Sequence, residues 1–267
     1  MENMKRVLSY VRRATDDYCM IEDGDKIAVG VSAGKDSLTL LCAMAYLRRF
    51  YPKKFSLIAI TIDMGFEPRQ DFTPIRELCE RLDVEYHVVP TEIFKIIFDV
   101  RKESNPCSLC AKMRRGALHT AAKELGCTSV ALGHHFDDVV ETFMLNLFFE
   151  GRLGCFSPVT YLSRVGIKLI RPMLYMPERD VAEFSKKNEL PVIPSPCPAD
   201  KNTQREEMKQ LLRSLERENK GLRYRIFGAI TRGEIDGFRQ FGRMEGIKNY
   251  QNEDADASDK PEVNDEN

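Results

Sequence analysis

The run Val29-Gly30-Val31-Ser32-Ala33-Gly34-Lys35-Asp36-Ser37 sets a loop of small residues between an apolar strand and an apolar helix, and no other stretch limits the fold as much. Lys26 to Val31 follows the turn pair Asp23-Gly24 and reads as a short buried strand, and Leu38 to Leu47 continues as a buried helix. The loop therefore opens a helix N-terminus, where unpaired backbone N–H groups and the positive end of the helix dipole favour an anion. Ala33 and Gly34 let a phosphate approach the main chain, and Lys35 adds a mobile positive charge. A Walker loop needs four residues between its glycines and a hydroxyl directly after the lysine. Here three residues separate Gly30 from Gly34, and Asp36 precedes Ser37, so that reading is disfavoured.

The rest of the chain alternates. A helix over about 3–15 precedes the loop strand; after the loop helix, which runs to Phe50, come strand Phe55 to Ile62, helix Phe72 to Leu82 and strand Val84 to Val89. A helical turn around Ile93 to Phe98, a cysteine loop, helix Lys112 to Leu125, strand Ser129 to Leu132 and helix Asp137 to Phe149 follow. Alternation of this kind predicts an α/β fold with a doubly wound parallel sheet, whose ligands bind beyond the carboxyl ends of the strands. The phosphate loop, Asp63-Met64-Gly65 and Gly133-His134-His135 fall at such ends and are expected to converge. Beyond Gly151 the texture changes to a hairpin (Thr160 to Leu162 with Gly166 to Ile170), a helix from Glu178 and a proline-rich turn, Pro191 to Pro198. A helical C-terminal extension comes last, Asn202 to Arg217 and Tyr224 to Phe241, with Gly221 and Gly233 as breaks. The expected organisation is an N-terminal helix (1–20), the α/β domain (21–200), a basic helical extension (201–250) and an acidic tail (251–267).

Composition fits one such domain plus an appendage: 267 residues, 43% hydrophobic. No apolar stretch reaches the roughly 18 residues of a membrane span, and the start of the chain does not read as a signal, so a cytoplasmic protein is expected. The net charge of −1 conceals an asymmetry, because Gln251 to Asn267 hold seven acidic residues and one basic one. That tail reads as a disordered, solubilising segment on a basic body. Between Lys201 and Lys248 lie twelve basic and seven acidic residues, among them Arg205, Lys209, Arg213, Arg217, Lys220, Arg223 and Arg225, a candidate track for nucleic-acid phosphates beside Tyr224 and Phe227. A solvated helix face is the plainer reading of the same charges.

Eight cysteines in a chain of this size do not suggest a disulfide scaffold. Cys19, Cys42, Cys79 and Cys127 sit in or beside apolar helical stretches and read as small core residues; Cys155 is undecided. Cys107-Ser-Leu-Cys110 puts two thiols on one turn, with Lys112, Arg114 and Arg115 expected to lower their pKa values. Cys197 stands far downstream in the proline frame Pro194-Ser-Pro-Cys-Pro198. Three thiolates with no evident fourth ligand fit a four-iron cluster with one open iron; structural zinc, which wants four ligands, and a redox or persulfide pair are the alternatives.

The pattern Ser-x-Gly-Lys-Asp-Ser resembles the pyrophosphate loop of the N-type ATP pyrophosphatases, which adenylate an oxygen and release pyrophosphate. Most of those proteins carry Ser-Gly-Gly where this chain has Ser32-Ala33-Gly34. If that position needs φ > 0, Ala33 costs about 1 kcal/mol. Taken with Pro106-Cys-Ser-Leu-Cys-Ala-Lys-Met-Arg-Arg-Gly116, Ala131-Leu-Gly-His-His-Phe-Asp-Asp138, Ile170-Arg-Pro172 and Thr203-Gln-Arg205, the loop makes the chain similar to the tRNA 2-thiocytidine synthetases, from the loop to about Phe227. The resemblance implies a homodimer that uses ATP and Mg2+ to activate the carbon-2 carbonyl of a tRNA cytidine at anticodon-loop position 32, sulfur then replacing oxygen. It also implies that Cys107, Cys110 and Cys197 hold a 4Fe-4S cluster whose unique iron carries the sulfur, received from a donor such as a cysteine desulfurase persulfide or sulfide. Those proteins often have a cysteine pair near the third ligand, whereas Pro194 stands three residues before Cys197 here.

On this reading Ser32, Ala33, Gly34, Lys35, Asp36 and Ser37 hold the phosphates. Asp36 is a magnesium ligand or a helix cap. Asp137 and Glu141 share one helical face, and Asp137 is the better candidate for metal or substrate activation. Gly133 and His134 border the nucleotide, with His134 a phosphate contact, an acid or a neutral hydrogen-bonded ring. Asp63 ends a strand where Ile62 to Met64 would meet adenine, and Arg171 is a candidate for phosphate or tRNA. Other functions stay open: 2-thiouridine formation, thiolation of a small molecule, or an iron–sulfur carrier that does not adenylate. A lysidine-forming relative would share the loop without needing three cysteines.

Overall fold

Strand β1 (Asp25–Gly30) lies at the centre of the sheet, as its middle demands: Ile27, Ala28 and Val29 are all fully buried. A strand apolar on both faces belongs in a parallel sheet covered on both sides. The computed structural model of the chain describes residues 1–101, 106–197 and 204–233, and among these β1 pairs in parallel with β2 (Phe55–Asp63) on one side and β4 (Ser129–Ala131) on the other. β3 (Glu85–Pro90) extends the sheet beyond β2, while β6 (Ile167–Ile170) extends it beyond β4. The order among the described residues is β3-β2-β1-β4-β6-β5, and only the edge strand β5 (Val159–Leu162) is antiparallel, as the first arm of a hairpin that returns in β6.

Successive β1 side chains feed opposite faces, as the pleat requires. Ile27 and Val29 join a core with α1 (Met4–Asp17), α2 (Lys35–Leu47), α3 (Thr73–Arg81), α6 (Phe136–Phe149) and α7 (Glu178–Lys187). Ala28 joins a second cluster beneath α5 (Pro106–Glu124), with Leu118, Ala121 and Ala122. The N-terminal helix belongs to the first core, since Met4, Val7, Val11 and Ala14 recur at helical spacing and are buried. So do Met208 and Leu212 of α8 (Gln204–Glu218) and Phe227 and Ile230 of α9 (Leu222–Arg232).

Among the described residues the expected elements are present, with boundary shifts of up to three residues, as in α2, except at the cysteines. Cys107 and Cys110 lie in the first turns of α5, which is helical from Pro106, where a helix beginning only at Lys112 was expected. Proline is well suited to a helix start because its missing N–H has no intrahelical partner there. The turn after β3, α4 (Ile93–Lys95), continues as a π-helical stretch, Ile96–Arg101. Cys42, Cys79 and Cys127 are buried as expected, but Cys19 is exposed, in a left-handed turn at φ 47° after α1. The start of the first C-terminal helix at Asn202, the part of the second from residue 234 to Phe241, and the acidic tail lie outside the described residues.

A candidate nucleotide site and a three-cysteine cavity

Strand order reverses between β1 and β4: the chain runs outward to β2 and β3 on one side and to β6 and β5 on the other. Ligands of open α/β sheets bind at such a reversal, and the phosphate loop leaves β1 there. Val31 still donates to the Ile60 carbonyl (2.8 Å), after which Ser32, Ala33 and Gly34 turn the chain into α2. Ala33 takes φ 64°, the left-handed conformation that favours glycine. The Ser37 hydroxyl organises the turn by accepting from the Ser32 N–H (3.0 Å) and donating to the Gly34 carbonyl (3.0 Å), with the Ser32 hydroxyl 3.2 Å away. Gly133, two residues beyond β4, lies against the loop so closely that a Cβ there would stand 3.1 Å from the Ser37 nitrogen. The two predicted loop ends therefore meet.

Lys35 and Asp36 form the mouth of this loop. The Lys35 ammonium donates to Asp36 (3.0 Å) and to Glu178 Oε1 (3.2 Å), and Lys209 of α8 donates to the same Glu178 oxygen (3.0 Å). Burial pulls the Lys35 pKa down, but the Asp36 and Glu178 carboxylates outweigh it and the net direction is up. Burial likewise pushes Glu178 up, yet Lys209 and Lys35 bring it to about 2. Asp137 is buried and fully engaged: one oxygen accepts the Glu178 N–H (2.7 Å), and the other pairs with Arg223 of α9. Glu178, Lys209 and Arg223 thus join the loop's surroundings although only the two cations were noticed in the sequence, and then as parts of a surface track. Glu178 opens α7 far from the loop in sequence and carried no signal.

His134 and His135 diverge. His135 caps α6, its Nδ1 accepting from the Asp138 N–H (3.4 Å) while Asp138 accepts from the His135 N–H (2.9 Å). Its Nε2 is 3.8 Å from Asp36. His134, the residue singled out from sequence, instead packs on Phe156 at 4.9 Å between ring centres, with Nδ1 enclosed and unpartnered. Burial, reinforced by Arg171 and Arg205, holds its pKa well below the usual histidine value. Arg171 is buried, its guanidinium on the Ser157 carbonyl, the Thr160 hydroxyl (3.2 Å) and the Phe156 ring (5.0 Å). It pins the hairpin and is not free to reach a phosphate.

Glu141 shares the buried face with Asp137, as the spacing predicted, and is 0% exposed with neither carboxylate oxygen hydrogen-bonded. Burial lifts its pKa to about 7. The nearest cation is Arg205 at 4.0 Å, which bonds Asp138 (3.0 Å) and Thr142 (3.2 Å) instead.

Asp63 ends β2. Its carboxylate accepts the Gly65 N–H (3.0 Å) and its carbonyl accepts from Thr91 (2.7 Å from the hydroxyl), which fixes the turn into Met64. Met64, Phe66, Phe94, Ile97 and Phe98 then wall an apolar cavity of about 40 Å³ that is also lined by Cys107, Cys110 and Cys197. The three thiols singled out from sequence therefore meet in one place, from α5 and the proline frame. Cys110 is shifted upward, by burial first and by Cys197 and Cys107, against a smaller downward pull from Arg114. Arg114 therefore pulls in the expected direction, but burial outweighs it and the net shift is upward. Cys155, by contrast, donates to the Val139 carbonyl (3.4 Å) and is pushed up to about 12 by burial, the mark of an inert thiol.

A wide cleft opens beside Asp137 and Glu178, lined on its other sides by Arg179, Arg213, Arg217 and Arg223. Of the predicted basic track, Arg213 and Arg217 are exposed and line the cleft together with the half-buried Arg223; Arg205, Lys209 and Arg223 pair with carboxylates, and Lys220 and Arg225 are exposed. Among the described residues no helix is long and apolar enough to cross a membrane, and no three or more His, Cys, Asp and Glu side chains form a site for a single metal ion.

Residues 5–216 match the PP-loop domain family. The chain is 40% identical over 229 residues to the tRNA-cytidine(32) 2-sulfurtransferase of Geobacter sulfurreducens, a match covering 85% of this chain and 89% of that one. Its identity to the protein of the same name from Pseudomonas putida is 39% over 228 residues, covering 85% and 83%. Among solved structures it is similar to the U34-tRNA thiolase NcsA from Methanococcus maripaludis, determined with its 4Fe-4S cluster. That likeness has 30% identity and a TM-score of 0.71 over 86% of this chain and 78% of the other.

Proposed function

This chain belongs to the PP-loop domain family and, within it, to the tRNA-cytidine(32) 2-sulfurtransferases, and from that premise we propose that it thiolates a tRNA cytidine at carbon 2 at the expense of ATP. The observation that supports this reading best is the pairing of two features on one sheet edge. The phosphate loop leaves the carboxyl end of β1, and the three-cysteine cavity begins at Met64, directly after β2.

The carbonyl oxygen of cytidine is a poor leaving group, and adenylation converts it to a phosphate ester that departs as AMP. The residues needed for that first step are those of the loop. Backbone N–H groups at the start of α2, the Lys35 ammonium and the Ser32 and Ser37 hydroxyls take up the charge that develops on pyrophosphate. Asp36, at the loop mouth, is the carboxylate that would hold the magnesium of ATP; Asp137 is linked to it through Glu178 and Lys35. Gly133 leaves room beside the phosphates, the Asp63 turn borders the base, and His134 stays neutral and donates no charge there.

Three thiols lining one apolar cavity fit a multi-iron cluster, whereas structural zinc takes four ligands. Cys107, Cys110 and Cys197 would hold it. When bound, a cluster with three protein ligands supplies an open iron at which sulfur can be held. The protein works as a cytoplasmic homodimer with sulfide or a desulfurase persulfide as donor, and the extension from residue 201 contacts the tRNA.

Anaerobic incubation with unmodified tRNA, ATP, magnesium and sulfide, followed by mass analysis of nucleosides, tests the assignment. New 2-thiocytidine is the expected product, and Cys197→Ser is expected to lose it together with the cluster absorbance. Formation of 2-thiouridine would move the substrate toward that of the Methanococcus neighbour, and activity surviving in a cluster-free Cys197→Ser protein would overturn the cysteine assignment.

A further inference from the structure

We propose that Glu178 is a positioning residue that couples nucleotide binding in the phosphate loop to the placement of the C-terminal helices α8 and α9. The inference rests on reading the loop as an ATP site. One Glu178 oxygen bonds the loop lysine, Lys35 (3.2 Å), and Lys209 of α8 (3.0 Å). The same residue's N–H is held by Asp137, whose other oxygen holds Arg223 of α9. Loop, α7, α6, α8 and α9 are therefore tied through two carboxylates, and both line the wide cleft with Arg213 and Arg217.

The charges make this linkage responsive. Lys35, Lys209 and Arg223 face Asp36, Glu178 and Asp137, so the network is neutral. A triphosphate entering the loop adds several negative charges beside Lys35 and competes with Glu178 for that ammonium. As Lys35 turns to phosphate, Glu178 is left to Lys209 alone, and the pair draws α8 against the start of α7. The cleft faced by Arg213 and Arg217 is thereby set by occupancy of the loop. Coupling between sites is reciprocal: whatever tRNA does to ATP affinity, ATP does to tRNA affinity by the same factor.

The test is direct binding of a non-hydrolysable ATP analogue to the full chain, with and without unmodified tRNA. In the unaltered protein tRNA is expected to tighten the analogue by roughly fivefold or more. Glu178→Gln removes the competitor for Lys35, so the analogue alone should bind several-fold tighter and the tRNA effect should disappear. Lys209→Met leaves Glu178 to Lys35 only, so the analogue alone should bind more weakly, again with no tRNA effect. Opposite shifts separate positioning from a scaffold role, which would weaken binding in both variants. Unchanged affinity and coupling in both variants, or weakening in both, would overturn the proposal while leaving the ATP reading intact. Failure of the unaltered chain to bind the analogue would overturn both.

Discussion

Ala33 stands at φ 64° at the tightest point of the phosphate loop, a conformation that costs an L-residue about 1–2 kcal/mol and glycine nothing. Ala33→Gly is expected to raise stability by up to about 1 kcal/mol, the relief being partly offset by the freer unfolded chain, and urea unfolding measures it. Glu141 makes the opposite kind of demand. Its carboxyl titrates at about 7 in the folded protein against an ordinary 4.5, so the folded state binds the proton more tightly than the unfolded one. Stability is then lost as pH rises from about 4.5 through about 7. Glu141→Gln should unfold at higher denaturant than the parent at pH 8, by at most about 3 kcal/mol, with the difference vanishing below pH 4.5. An equal gain at both pH values would mean that Glu141 is not the titrating group. Which histidine faces the loop was not legible at this scale. His134 and His135 are adjacent, and only the capping of α6 by His135 decides which ring turns toward Asp36.

At the scale of elements, the strands were legible because three consecutive buried residues in β1 leave no solvent face, and α1 because its apolar residues recur at helical spacing. The cysteines misled because Cys-x2-Cys suits a loop as well as a helix, and proline can either break a helix or begin one. The hairpin was visible as two short apolar runs, but its anchor was not. Arg171 read as a candidate for phosphate or tRNA, whereas the Ser157 carbonyl, Thr160 and Phe156 enclose it and burial lowers its pKa to about 10. Cys19 follows an amphipathic helix and was assigned to the core; α1 ends at Asp17 and the following turn directs the thiol outward.

Across the whole molecule, the basic extension is not one continuous track. Among the described residues Arg205, Lys209 and Arg223 pair with carboxylates, and of the exposed cations Arg213 and Arg217 are the two that line the cleft, which makes them the first candidates for phosphate contacts. Replacing both by Gln should weaken tRNA binding and lower the slope of log affinity against log salt by about 1.5, with little change in ATP affinity. An unchanged slope would place the tRNA elsewhere. The chemistry of this protein was written in local sequence: a small-residue loop between buried elements calls for phosphate, and thiols separated by two residues call for a soft metal, because both depend on residue type and short spacing. Only the tertiary structure brought Cys197 to Cys107 and Cys110, put Glu178 between Lys35 and Lys209, and set two cations of a basic helix, Arg205 and Lys209, on carboxylates. Those contacts join residues far apart in the chain, and what selects them is the packing of helices onto the sheet, which no local pattern encodes.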